Sequence, residues 1–117
     1  MNYTLFSDVW ESALKSESPE AFHDIWDKYG VATEDALDTV YAMAYGGPRG
    51  IRGTLGFSQV SFAESYGLSR RTLEDWEAGR RLPPSYLVKL LGYAVFTDLW
   101  VIQQEFTPAR ATPPESR

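Results

Sequence analysis

Two arginine pairs, Arg70-Arg71 and Arg80-Arg81, stand close together in the stretch SRRTLEDWEAGRRLPP. A guanidinium is always charged. Its parallel N–H donors match the oxygens of a phosphate or the O6 and N7 edge of guanine. Glu74 and Asp75 follow Arg70 and Arg71 at four-residue spacing, so on a helix each carboxylate reaches one arginine. Such pairs can hold the arginine forks in line, or they can neutralise the face. The residues alone support both readings. Other chemistry has few visible parts. The chain has no cysteine, and His23 is its single histidine. A metal site, a nucleophilic triad and a GxxxxGK phosphate loop all lack their residues, so neither enzymatic activity nor a cofactor is expected. His23, between Phe22 and Asp24, reads as structural.

The charge is unevenly placed. Overall the 117 residues carry a net −5. Residues 1–46 hold nine carboxylates against two lysines, a net −7. Residues 47–92 hold seven basic against four acidic side chains, a net +3. Residues 93–117 hold two against three, a net −1. An acidic start beside a basic middle points to an anion-binding segment rather than to a nonspecific polyanion glue. The N-terminal stretch lacks a basic region ahead of an apolar run, so it does not read as a signal peptide and a cytoplasmic location is expected. The most apolar window, residues 86–102, contains Lys89, Gly92 and Asp98 and is short for a membrane span.

The elements that must position the arginines are helices. In YTLFSDVWESALK, the rows Leu5, Val9, Ala13 and Phe6, Trp10, Leu14 make one apolar stripe. SPEAFHDIWDKYG opens on Ser18 as N-cap with Pro19 at the first helical position, and Gly30 stops it. Phe22, Ile25, Trp26 and Tyr29 supply its apolar face. TEDALDTVYAMAYGG opens on Thr33, with Glu34 and Asp35 favouring the helix dipole, and ends at Gly46-Gly47. Leu37, Val40, Tyr41 and Ala44 face inward. Four further helices are expected over residues 48–106: one from Pro48, one capped by Ser58, one capped by Ser69 and closed at Gly79, and a long last one with Gly92 as a point of bending. Trp10, Phe22, Trp26 and Tyr29 read as core or dimer contacts, because their acidic helices repel phosphate. No run alternates as a strand would.

Around residue 60 the pattern becomes specific. Phe62 and small Ala63 fall where one helix crosses another closely. Gly67 sits where a tight turn needs positive φ. Leu68 plugs the turn, and Leu73 and Trp76 face back to the core. A short helix, a glycine turn and a second Ser-capped helix make a helix-turn-helix. The stretch RGTLGFSQVSFAESYGLSRRTLEDWEAGRRLPPSYLVKLL, about Arg52 to Leu91, resembles the Xre/Cro-like helix-turn-helix domain of bacterial and phage repressors. Arg52, Leu55-Gly56, Ser58-Gln59, Ala63, Gly67, Ser69, Trp76-Glu77 and Gly79 carry that resemblance. The expected fold is all-α: N-terminal helices packed on a lambda-repressor-like helix-turn-helix bundle with a long C-terminal helix. Residues 1–46 form an acidic helical extension, 47–106 the helix-turn-helix domain, and 107–117 a disordered, proline-rich tail.

A recognition helix places its first side chains at base edges in the major groove. Arg70 and Arg71 are therefore the expected base contacts, with Asp75 able to accept from a cytosine amine. Ser69 and Thr72 can donate to phosphates, and Arg80 and Arg81 are candidate phosphate contacts. The resemblance implies phosphate contact for Ser58 and Gln59, with Gln59 also able to touch a base. It further implies that Arg52 pairs with Glu77 as an internal strut. The expected function is a sequence-specific, dimeric, DNA-binding repressor. The apolar excess of Leu90, Leu91, Val95, Phe96, Leu99, Trp100 and Ile102 supplies a dimer face. Two alternatives fit the charge map: an antitoxin that binds a basic toxin through its acidic helices, and a mobile-element inhibitor that does not bind DNA.

Overall fold

The computed structural model describes the backbone of residues 1–111 and the side chains of residues 1–99. Over the described residues the chain is all-helical: α1 (Tyr3–Lys15), α2 (Pro19–Asp27), α3 (Glu34–Leu55), α4 (Gln59–Tyr66), α5 (Arg70–Glu77) and α6 (Ser85–Ala111). The helix starts follow from side-chain oxygens that satisfy free backbone N–H groups. Ser18 accepts from Ala21 N at 3.1 Å, Thr33 from Ala36 N at 3.1 Å, Ser58 from Ser61 N at 3.1 Å and Ser69 from Thr72 N at 3.2 Å. Asn2 caps α1 in the same way, 2.9 Å from Leu5 N.

The two helices expected on either side of Gly47 run on from one another, as the two halves of α3, through a break at that residue. Gly47 takes φ 62° and ψ −152°, inside α3. That backbone needs glycine, and Pro48 restarts the helix after it. The two halves then fold close together: a Cβ on Gly50 would stand 2.7 Å from the Ala42 carbonyl oxygen.

One buried cluster draws on all six helices. It contains Phe6, Val9, Trp10 and Ala13 of α1, Phe22 of α2, Leu37, Val40, Met43 and Ile51 of α3, Phe62 and Ala63 of α4, Leu73 of α5 and Val95 of α6. Residues 1–46 are thus part of the same core as the rest of the chain. Phe6 sits at its centre, with ring centroids 5.0 Å from Tyr93 and 5.4 Å from Phe96. Lys89 Nζ bonds α6 to α1, 2.6 Å from Glu11 and 2.9 Å from Ser7 Oγ. His23 Nε2 lies 2.7 Å from Asp38 Oδ1, joining α2 to α3 as a structural contact.

Several expectations change. α6 is continuous through Gly92. The missing side chain of that glycine makes room for α1, since a Cβ there would stand 2.6 Å from Trp10 Cζ3. Leu14, Ile25 and Tyr29 are exposed, because α1 and α2 bury narrower stripes than their sequences offer. Of the seven residues expected to form a dimer face, Val95 is fully buried and Leu91, Phe96 and Leu99 pack against the core. Leu90 remains exposed, while the side chains of Trp100 and Ile102 lie outside the described residues. Among the described residues the largest exposures of apolar side chains fall just earlier, at Leu82 and Tyr86. Helix α6 runs to Ala111, beyond the expected end at Phe106. The expectation of a disordered tail over residues 112–117 falls outside the described residues. No helix among the described residues is long and apolar enough to cross a membrane.

Candidate nucleic-acid interface

Helices α4 and α5 are held at a fixed angle by their shared turn. Gly67 ends α4 with φ 70° and ψ 27°, and Leu68 N donates back to Ala63 O at 2.9 Å. Phe62, Ala63 and Leu73 are buried, and Leu68 and Trp76 pack on the core. With its apolar side sunk, α5 must turn Arg70 and Arg71 outward. Their side chains are 65% and 82% exposed. No acid stands in the first turn of α5, so the free N–H groups and the two guanidiniums present one positive end.

The end of α5 brings the second arginine pair back toward it. Gly79 takes φ 77°, and Arg80 N and Arg81 N both donate to the Asp75 carbonyl, at 2.9 and 3.3 Å. Arg80 Nε then donates to Asp75 Oδ1 at 2.8 Å. Arg80 and Arg81 remain exposed.

Asp75 faces Arg71, as its four-residue spacing leads one to expect, and meets Arg80 as well. Among the described residues it is the one polar or charged member of the buried set, at 7% exposure, with its carboxylate between Arg80 and Arg71. The Asp75 carboxylate is thus held between two arginines, one on α5 and one on the turn that follows it. The Arg80 guanidinium holds its carboxyl below the usual carboxylate range, and Arg71 and Arg81 add to the effect against the cost of burial. Glu74 does pair with Arg70, which donates through Nε to Glu74 Oε2 at 2.9 Å.

Behind this surface lies the strut that the family resemblance implies. Arg52 donates through Nε to Glu77 Oε2 at 2.8 Å and through Nη2 to Oε1 at 2.7 Å. Its Nη1 donates to the Phe57 carbonyl at 2.8 Å. The Glu77 side chain is 1% exposed. Arg52 holds the Glu77 carboxyl below its ordinary range, and Glu77 raises the arginine in turn. A parallel, two-point bond of this kind fixes the end of α5 to α3.

Gln59 joins the strut. Its Nε2 donates to Glu77 Oε1 at 3.1 Å. Ser58 and Ser69 are exposed caps, and Thr72 is half-buried beside them. One residue escaped the sequence reading: Arg49, 68% exposed, whose Nε is 3.5 Å from Glu77 Oε1. It lies three residues before Arg52, so the same helical face already signalled it. Conversely, Lys89 belongs to the basic middle segment by count only, because it turns to α1.

Residues 49–93 match a family model described as helix-turn-helix, covering somewhat more than a third of the chain. No curated protein and no solved structure matches the chain.

Proposed function

From the premise that residues 49–93 are a DNA-binding helix-turn-helix of the Xre/lambda-repressor-like family, we propose that the protein is a dimeric, sequence-specific transcriptional repressor. The observation that carries this reading is the exposure of Arg70 and Arg71 at the start of α5. They serve as base contacts, with Ser58, Ser69, Thr72, Gln59, Arg80 and Arg81 toward the phosphates and Arg49 extending that row. Dimerisation is supported by Leu82, Tyr86 and Leu90, which are 89%, 66% and 46% exposed. The stretch Leu82–Val88 carries no charge. On a chain of net −5, copies repel least where they are neutral and gain most where they are apolar. This patch directly follows the second arginine pair, so pairing there would set two recognition helices side by side.

Selection of bound fragments from random duplex DNA tests the proposal. The wild-type chain is expected to enrich two guanine-containing half-sites about one helical turn, roughly 10 base pairs, apart. Enrichment of no sequence at low salt would overturn it. Enrichment of a lone half-site, together with monomeric sedimentation, would remove the dimer and leave the DNA reading standing.

A further inference from the structure

We propose that Asp75, assisted by Glu74, is a positioning residue for DNA recognition: it ties a base-reading arginine and a phosphate-binding arginine to one buried carboxylate and leaves their outer nitrogens free. The inference rests on the DNA reading above. Of the two readings of the acids that the sequence leaves open, it takes the one in which they hold the arginine forks in line.

Two arginine–carboxylate pairs on this surface share one hydrogen-bonded geometry, and a third is a looser ion pair approached through the same nitrogen. Arg70 meets Glu74 through Nε at 2.9 Å, Arg80 meets Asp75 through Nε at 2.8 Å, and Arg71 approaches Asp75 through Nε at 3.7 Å. Among the described residues no hydrogen bond engages a terminal nitrogen of any of the three. The buried strut is the contrast, because Arg52 spends Nε and both terminal nitrogens inside the protein. A guanidinium gripped at Nε is fixed in direction but keeps its end-on pair of donors. That pair forks the O6 and N7 of guanine or two phosphate oxygens.

Asp75 is the stronger of the two acids. Its main-chain carbonyl takes the N–H groups of Arg80 and Arg81, and its side chain takes the Arg80 head. The same carboxylate faces Arg71 one turn earlier on α5. The position of the first arginine pair is thereby coupled to that of the second. Ordering these long side chains before binding removes part of the entropy that docking would otherwise cost. The fixed direction also favours one base over another. An acid that merely neutralised the surface would do the reverse, weakening attraction to any duplex.

The two roles predict opposite signs. The full chain would be titrated with its enriched duplex and with a scrambled duplex of equal length, at matched salt, by fluorescence anisotropy. Asp75→Asn is expected to lose roughly tenfold on the enriched duplex while holding or gaining on the scrambled one. Glu74→Gln, which is more exposed and spares the core, is expected to show the same signs more weakly. Thermal melting would confirm that each variant is folded. A rise in affinity for both duplexes would overturn the proposal, because removal of a bystander negative charge does that.

If the wild-type chain binds no duplex, the DNA reading fails and the geometry is still decided by NMR. Arg80 Nε–H should exchange more slowly than Arg81 Nε–H. Arg81 has no carboxylate within ion-pair distance among the described residues. Equal rates would overturn the Nε grip itself.

Discussion

The starts of α3 and α5 are built oppositely. Both open on a hydroxyl cap, Thr33 and Ser69. After the cap α3 places Glu34 and Asp35, whose charges suit the positive end of a helix. α5 places Arg70 and Arg71 there instead, which its own dipole disfavours. The first arrangement serves the fold. The second gives up a little helix stability and presents an unsatisfied positive end that an external anion can complete. The contrast extends further: Glu11, Arg52, Glu77 and Lys89 pair between helices of the frame, while the paired arginines Arg70, Arg71 and Arg80 keep exposed side chains.

The largest test removes the outward set. Arg70→Ala combined with Arg71→Ala is expected to lower affinity for the enriched duplex by roughly a hundredfold or more, since each good guanine fork contributes about 1–3 kcal/mol. Thermal stability should scarcely move. Equal affinity would erase the distinction between the two helix starts, and a gel-shift series reads it directly.

Next comes the inward set. Gly92→Ala drives a methyl against the Trp10 ring and is expected to cost about 1–3 kcal/mol in denaturant unfolding. Affinity of the folded fraction for DNA should be unchanged. The Glu77 strut gives a pH test. Its carboxyl is held below the ordinary range in the folded chain, so the stability it contributes is complete above that range. It is lost as pH falls through the folded value. Glu77→Gln replaces a charged bond with a neutral one, costs about 1 kcal/mol near neutrality, and should flatten the acid limb of the stability curve. A variant with an unchanged acid limb would assign that limb to other carboxylates.

The smallest effect tests the dipole contrast itself. Glu34→Gln with Asp35→Asn should lower the melting temperature slightly, by about 0.3–1 kcal/mol of stability. Arg70→Gln with Arg71→Gln should cost less or even stabilise. Equal losses in both would mean that side-chain pairing, not the dipole, governs these helix ends.

Much of this was readable in advance because its causes are local. Ser18, Thr33, Ser58 and Ser69 cap their helices through hydroxyls only three residues from their partners. Gly47, Gly67 and Gly79 stand at positive φ where the chain must reverse or kink. Arg70 and Arg71 stay exposed because Leu73 and Trp76 on the same short helix claim the inner face. The side of a short helix that faces the core is a matter of period, and period is written along the chain.

What sequence spacing left undecided are the encounters between distant segments. Gly92 carries no sign in the sequence that Trp10, far away along the chain, occupies its empty side. Lys89 counted as surface charge until Glu11 and Ser7 came within bonding distance. Asp75 could be matched with Arg71 from spacing alone, and only the reversal at Gly79 brings Arg80 to the same carboxylate. A one-dimensional pattern specifies which face a residue occupies. Whether that face meets solvent, an aromatic ring or a guanidinium depends on how the helices cross, and crossing is set by the packing of all six at once.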